Sequence, residues 1–232
     1  MFPHPRKIRH ARLAWTALLA FVFLPLGSHA GDGDWQQWSE ISYTQHLDYG
    51  VDAGVRYESR LDEDFSRYFY YELEPFLNWR YSPRWDFMVS YERDEFLEPR
   101  SEDDPETDVN NLAAASATMK LPLNGWYLNN RMRTDWIVPE NGDRDWSTTY
   151  RNRTGLATTW RWGSKELVPY IFEEWFYNFQ EGQFVENRAG IGMGVPIVPH
   201  WSASVYFMRF DERTMKGWQW HPVLAVQVDA QF

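Results

Sequence analysis

Beyond residue 34 the chain alternates apolar and polar side chains with a period of two, and the 3.6-residue periodicity of a helix appears nowhere in that region. The last stretch shows it most plainly. Leu224, Val226, Val228, Ala230 and the terminal Phe232 share one parity, with Ala225, Gln227, Asp229 and Gln231 on the other. Val51, Ala53, Val55, Tyr57 and Leu61 likewise oppose Asp52, Gly54, Arg56, Glu58 and Arg60, and Trp85, Phe87, Val89 and Tyr91 oppose Asp86, Met88, Ser90, Glu92 and Asp94. Each pattern describes a strand with one apolar face. Eleven such segments are expected, at about 35–47, 51–61, 68–81, 85–96, 111–121, 126–137, 148–162, 167–180, 184–195, 201–210 and 220–232. The connections alternate as well. Short turns at about 82–84, 122–125, 163–166 and 196–200 alternate with longer polar links at about 97–110, 138–147, 180–183 and 211–217.

A strand of about ten residues that closes on an aromatic resembles the final strand of bacterial outer-membrane β-barrels. The resemblance implies an all-β fold, a transmembrane antiparallel up-and-down β-barrel of 10–12 strands, with Phe232 read by the barrel assembly machinery. Short turns on one side and longer loops on the other are the asymmetry of such a barrel. Trp79, Trp85, Trp126, Trp160, Trp162 and Trp201 lie beside the short turns, and Trp136, Trp146, Trp218 and Trp220 near the longer links, as two aromatic girdles would require. The N-terminus agrees with export. Arg6, Lys7, Arg9 and Arg12 precede an apolar run from Leu13 to Leu24 and a small-residue site at Ser28-His29-Ala30, the form of a cleaved signal peptide. The expected organisation is therefore a signal peptide at 1–30 and a barrel domain at 31–232, in the outer membrane of a Gram-negative cell. Its surroundings would be outer-membrane lipid and lipopolysaccharide.

The count of segments raises a difficulty. With Phe232 in the periplasm, the segment at 35–47 must run inward from outside, and single-chain bacterial barrels use even strand numbers. Either the barrel has ten strands, with the first segment at an end or in the lumen, or a strand is missed and it has twelve.

Composition narrows the function. The first 30 residues hold four of the 23 basic residues and none of the 33 acidic ones, leaving a net charge of −14. That opposes nucleic-acid binding, which needs a basic footprint. With no cysteine there is no disulfide and no thiolate metal site. Aromatic residues make up 18% of the chain, heavy for a soluble β domain, which is the bland alternative, and natural for girdles.

Trp35-Gln36-Gln37-Trp38, Val55-Arg56-Tyr57-Glu58 and Glu186-Asn187-Arg188 followed by alternating glycines resemble the bacterial domain-of-unknown-function family 2490, grouped with outer-membrane barrels. The resemblance covers the chain beyond the signal and implies fold and location; no activity comes with it.

Parity sends a charged set inward: Arg56, Glu58, Arg60, Glu72, Glu74, Glu92, Asp94, Arg131, Arg133, Arg151, Arg153, Glu186 and Arg188. Acids gather on one side and the Arg131–Arg153 hairpin faces them, an arrangement suited to guiding small polar or zwitterionic solutes. The same groups could pair into a plug. A narrow porin-like channel is the first expectation, a sealed structural or adhesive barrel acting through its loops the second, and a rim hydrolase the third. No enzyme and no cofactor is expected. His46 shares parity with Ser42, and His200 with Ser202, without a hydrolase motif around either. Carboxylate pairs Glu92/Asp94 and Glu72/Glu74 are explained by facing arginines. The acidic stretch from Glu102 to Asp108 lacks the spacing and glycine of a calcium loop. Two features stay open. Gly190, Gly192 and Gly194 leave space, ease bending or admit a bulky residue opposite. Asn130, Asn152 and Asn187 fall on the outward parity, where an amide costs stability unless it lies near an interface, marks a bulge or betrays a shifted register.

Overall fold

The computed structural model describes residues 34–98, 106–140, 145–215 and 217–232. The signal-peptide region and most of the acidic stretch at 102–108 lie outside them. The strands are β1 (Gln36–His46), β2 (Val51–Asp62), β3 (Arg67–Ser82), β4 (Trp85–Glu98), β5 (Glu106–Leu123), β6 (Trp126–Pro139), β7 (Ser147–Thr158), β8 (Trp160–Trp162), β9 (Lys165–Asn178), β10 (Gln183–Val198), β11 (Trp201–Thr214) and β12 (Gly217–Gln231). β8 continues β7 past Thr159 and pairs with the start of β9, so the wall has eleven strands.

Neighbours in sequence pair antiparallel all the way round, and β1 closes the barrel on β12 in parallel, from Gln36↔Val223 to Thr44↔Gln231. This corrects the expectation of an even count. With an odd number of alternating strands, the first and last run the same way, so closure demands one parallel pair. The first segment is therefore a wall strand, neither displaced to an end nor threaded into the lumen. Main-chain bonds from Phe232 to Thr44 and from His46 to Phe232 secure the seam, and the Phe232 ring stacks on Tyr43 and His200.

Several strands outrun the expected segments. β5 has 18 residues where about eleven were read, and β3 and β10 have 16. The polar links at 97–110 and 211–217 are shorter for it, because ladder hydrogen bonding continues through polar residues that carry no apolar alternation. At the opposite end, Asn124 and Gly125 both take positive φ between the paired Leu123 and Trp126, the two-residue turn that matches the twist of antiparallel strands.

Outward faces are apolar over much of the wall, with Val55, Tyr57, Leu73, Leu77, Val89 and Phe207 all exposed. The tryptophans of both expected girdles are exposed or half-buried at the two ends. The outward amides all have polar partners, Asn130 and Asn152 in one local cluster and Asn187 on Glu173. Asn130 donates to Asn152 at 3.1 Å and to Thr154 at 2.8 Å, and Asn187 donates to Glu173 at 3.4 Å. Register is regular at Asn130 and Asn152, so neither a bulge nor a shift explains those two, and mutual hydrogen bonding lowers their cost; Asn187 follows a register shift between Phe184 and Glu186 in the β9–β10 pair.

Inside, one side is apolar. Trp38, Phe172, Met208, Phe210, Val223 and Ala225 cluster with Tyr170 and Tyr206. The glycines of β10 make room for it. A Cβ on Gly192 would stand 2.4 Å from Tyr170 Cζ, and one on Gly190 2.7 Å from Phe172, whereas at Gly194 the nearest atom is at 3.6 Å. Bulky rings opposite explain the first two positions. Gly192→Val is expected to destabilise the barrel by about 1–3 kcal/mol, the range for overpacking, and Tyr170→Ala in the same chain to restore part of it. Thermal unfolding followed by heat-modifiable gel migration checks both.

Candidate functional site

Inward positions of β2, β3, β4, β6, β7, β9 and β10 bring the charged side chains together because strand parity sends alternate residues to one face. Twelve of the thirteen residues expected in the lumen line one cavity of about 620 Å³. The thirteenth, Glu74, is fully buried beside it, under Arg56 and Arg133.

The charges form a chain around the interior. Glu40 pairs with Arg56 Nε at 3.2 Å, Arg56 with Glu74, and Glu74 with Arg133 Nη1 at 2.7 Å. Arg133 also pairs with Glu92 and, through Nε at 2.5 Å, with Asp135. Its three nitrogens thus each meet a different carboxylate, and it is 2% exposed. Asp135 lies 3.6 Å from Arg151, which lies 3.5 Å from Glu174. Glu174 also receives Arg131 at 2.8 Å and Arg153 at 3.7 Å.

Glu174 and Glu40 belong to the site and are absent from the set expected from the sequence. Glu174 lies on β9. It sits fully buried among three guanidiniums and compensates the basic hairpin from its own side. The acids and bases therefore do not simply face each other across the lumen: Arg56 and Arg60 stand among the acids, and Glu174 and Asp135 among the bases. Parity did carry the signal for Glu174, since Phe172, Glu174 and Phe176 alternate with the outward Ile171, Glu173 and Trp175; the adjacent Glu173 obscured it. Glu40 lies on β1, the segment whose place the sequence leaves open, so parity there has no inside to refer to.

Aromatic rings border the charges. Arg60 pairs with Glu58 at 2.5 Å and lies 3.8 Å over Trp38 and 3.9 Å over Tyr70. Arg188, paired with Glu186, covers the Trp38 and Phe176 rings at 4.6 and 4.7 Å, and Arg153 covers Phe172 at 3.9 Å. These contacts hold the guanidiniums against aromatic rings of the wall, and Arg131 and Arg153 are the more open of the lumen arginines, at 23% and 33% exposure.

Three of the four serine and histidine side chains in the expected Ser-His pairs have other partners. The Ser42 hydroxyl donates to Asp229 at 2.6 Å and the His46 ring meets Asp52 at 2.7 Å. His200 meets the Gln231 carbonyl at 2.8 Å.

The family model described as a protein of unknown function, DUF2490, matches residues 35–221. No curated protein matches the chain.

Removing one member of a buried charge network leaves the rest uncompensated, at a cost of about 3–5 kcal/mol. Glu174→Gln is therefore expected to lower the unfolding temperature markedly, because Arg131, Arg151 and Arg153 lose their shared carboxylate, while Arg209→Gln on the exposed pair with Asp211 leaves it unchanged. Differential unfolding of the two folded variants reads the contrast.

Proposed function

The chain belongs to the DUF2490 family, and we propose that this member is an integral outer-membrane β-barrel acting as a narrow, porin-like channel for small polar or charged solutes. A closed barrel is compatible with that location: closure gives every wall strand a hydrogen-bonded neighbour on both edges and apolar side chains face outward, which is what a bilayer requires of a β protein. The expected signal peptide is consistent with export, and Phe232 is the terminal residue through which the assembly machinery would engage the barrel. Lipid and lipopolysaccharide would surround the wall.

The observation that carries the channel reading is the internal cavity, lined by guanidinium and carboxylate groups together. It runs from the level of Phe96, Ile137 and Val185, towards the longer loops, to Thr118, Asn129 and Gln227, towards the short turns. A solute carrying both charges would exchange its hydration for these fixed groups as it passes, and Arg131 and Arg153 are the basic groups open to meet it. The second reading, a sealed barrel that works through its loops, is favoured by Arg133, whose bonds to Glu74, Glu92 and Asp135 bridge the interior with almost no exposure.

Single-channel recording of the refolded barrel in a planar bilayer separates the two. Small reproducible steps are expected, with Arg131→Gln/Arg153→Gln shifting selectivity towards cations while the barrel remains folded by gel migration. A folded barrel that stays silent across salts and voltages would overturn the channel and leave the sealed reading.

A further inference from the structure

The lumen beside β3 and β4 holds more carboxylates than the guanidiniums near it can match. Glu58, Glu72, Glu92 and Asp94 face Arg60 and Arg133. Arg60 is taken by Glu58, and Arg133 is divided among Glu74, Glu92 and Asp135, so that Glu72 and Asp94 have no guanidinium partner among the described residues. Glu72 and Asp94 are directly opposed across the strand pair, and Glu92 follows two residues before Asp94 on the same face. One oxygen from each of Glu72, Glu92 and Asp94 lies within 4.8 Å of the other two, and all three residues are buried. Like charges so close and so dry repel strongly unless something positive stands between them.

A second observation points to what is needed. Asp94 is 6% exposed, and its Oδ1 has no hydrogen-bond partner. Buried carboxylate oxygens without a donor are costly, and the nearby donors are spent elsewhere: the Tyr70 hydroxyl donates to Glu72 Oε2 at 2.9 Å, and both guanidiniums are bound as above. The dimensions suit a hard cation. Calcium binds oxygens at about 2.3–2.6 Å, so two of its ligands stand at most about 5 Å apart, and the observed separations fall inside that limit.

We propose that Glu72, Glu92 and Asp94 form a divalent-cation site of the calcium class inside the barrel. The donor set is oxygen only, with neither imidazole nor thiolate, which selects calcium or magnesium over zinc or copper. Three carboxylates supply part of the coordination shell, and water from the adjoining cavity supplies the rest. The ion cross-links β3 to β4, neutralises the acidic excess and narrows the lumen on its acidic side. The site needs only the closed barrel and does not depend on solute passage.

The test is calorimetric titration of CaCl2, and separately MgCl2, into the chelator-treated, refolded barrel, with Tb³⁺ as a luminescent probe sensitised by the neighbouring Tyr70 and Trp38. The expected result is one ion per barrel, a higher unfolding temperature with the ion, and affinity weakened by roughly tenfold or more in Asp94→Asn. Asp229→Asn, which alters a carboxylate bonded to Ser42 and Gln227, keeps the affinity. Glu72→Gln gives the same loss and serves if Asp94→Asn does not fold. Three results would overturn the site: no binding in the wild-type barrel, binding unchanged in folded Asp94→Asn or Glu72→Gln, or stabilisation by acid pH with none from the ion, which would mean a proton shared between carboxyls. Conductance is read separately, so a silent barrel that binds the ion retires the channel alone.

Discussion

Closure is the constraint on which this structure depends. Each wall strand has two edges, and its main-chain groups need partners along both. Eleven alternating strands can satisfy them only by joining the first to the last in parallel, which is why β1 and β12 lie side by side in one direction. Everything else follows from the ring this makes. Parity acquires an inside and an outside, alternate residues of eleven strands converge on one space, and side chains far apart in sequence become neighbours, as with Glu74 and Arg133.

Once the ring is closed its interior must be filled, and the chain fills it in two ways. Aromatic and aliphatic groups of β1, β9, β11 and β12 pack against one another, with Gly190 and Gly192 yielding to the rings of Phe172 and Tyr170. The remaining arc is lined by alternating guanidiniums and carboxylates, from Glu40 through Arg133 to Glu174. Such a chain of buried pairs is not a large source of stability, since desolvation offsets most of the attraction. Its effect is rather to hold each charge in a defined place, and the contacts of Arg60 and Arg188 on Trp38 join the charged arc to the apolar one.

Where pairing is complete the interior is inert, so the incompletely matched groups carry the functional interest. Arg131 and Arg153 share one carboxylate with Arg151 and remain partly open to the cavity, while Glu72, Glu92 and Asp94 exceed the cations beside them. The two groups lie on different arcs of the same space. A solute-facing basic side and an ion-binding acidic side are the consequences proposed from them.

The amino-acid sequence by itself determined the eleven strands, the inward destination of the thirteen charged residues and the tryptophans at both ends, because each rests on period-two alternation or on turn chemistry that is local. It could not determine closure. Segment counting alone left 35–47 without a place, since pairing partners at opposite ends of a chain leave no local mark. Nor could it distinguish facing charge from shared charge: Glu174 among its arginines, and Arg133 among three carboxylates, depend on strand order, stagger and side-chain reach around the ring. The three β10 glycines look alike in sequence, and only the rings across from two of them separate their roles. Local pattern chooses the face on which a side chain lies, but the groups it meets there are chosen by the closed sheet.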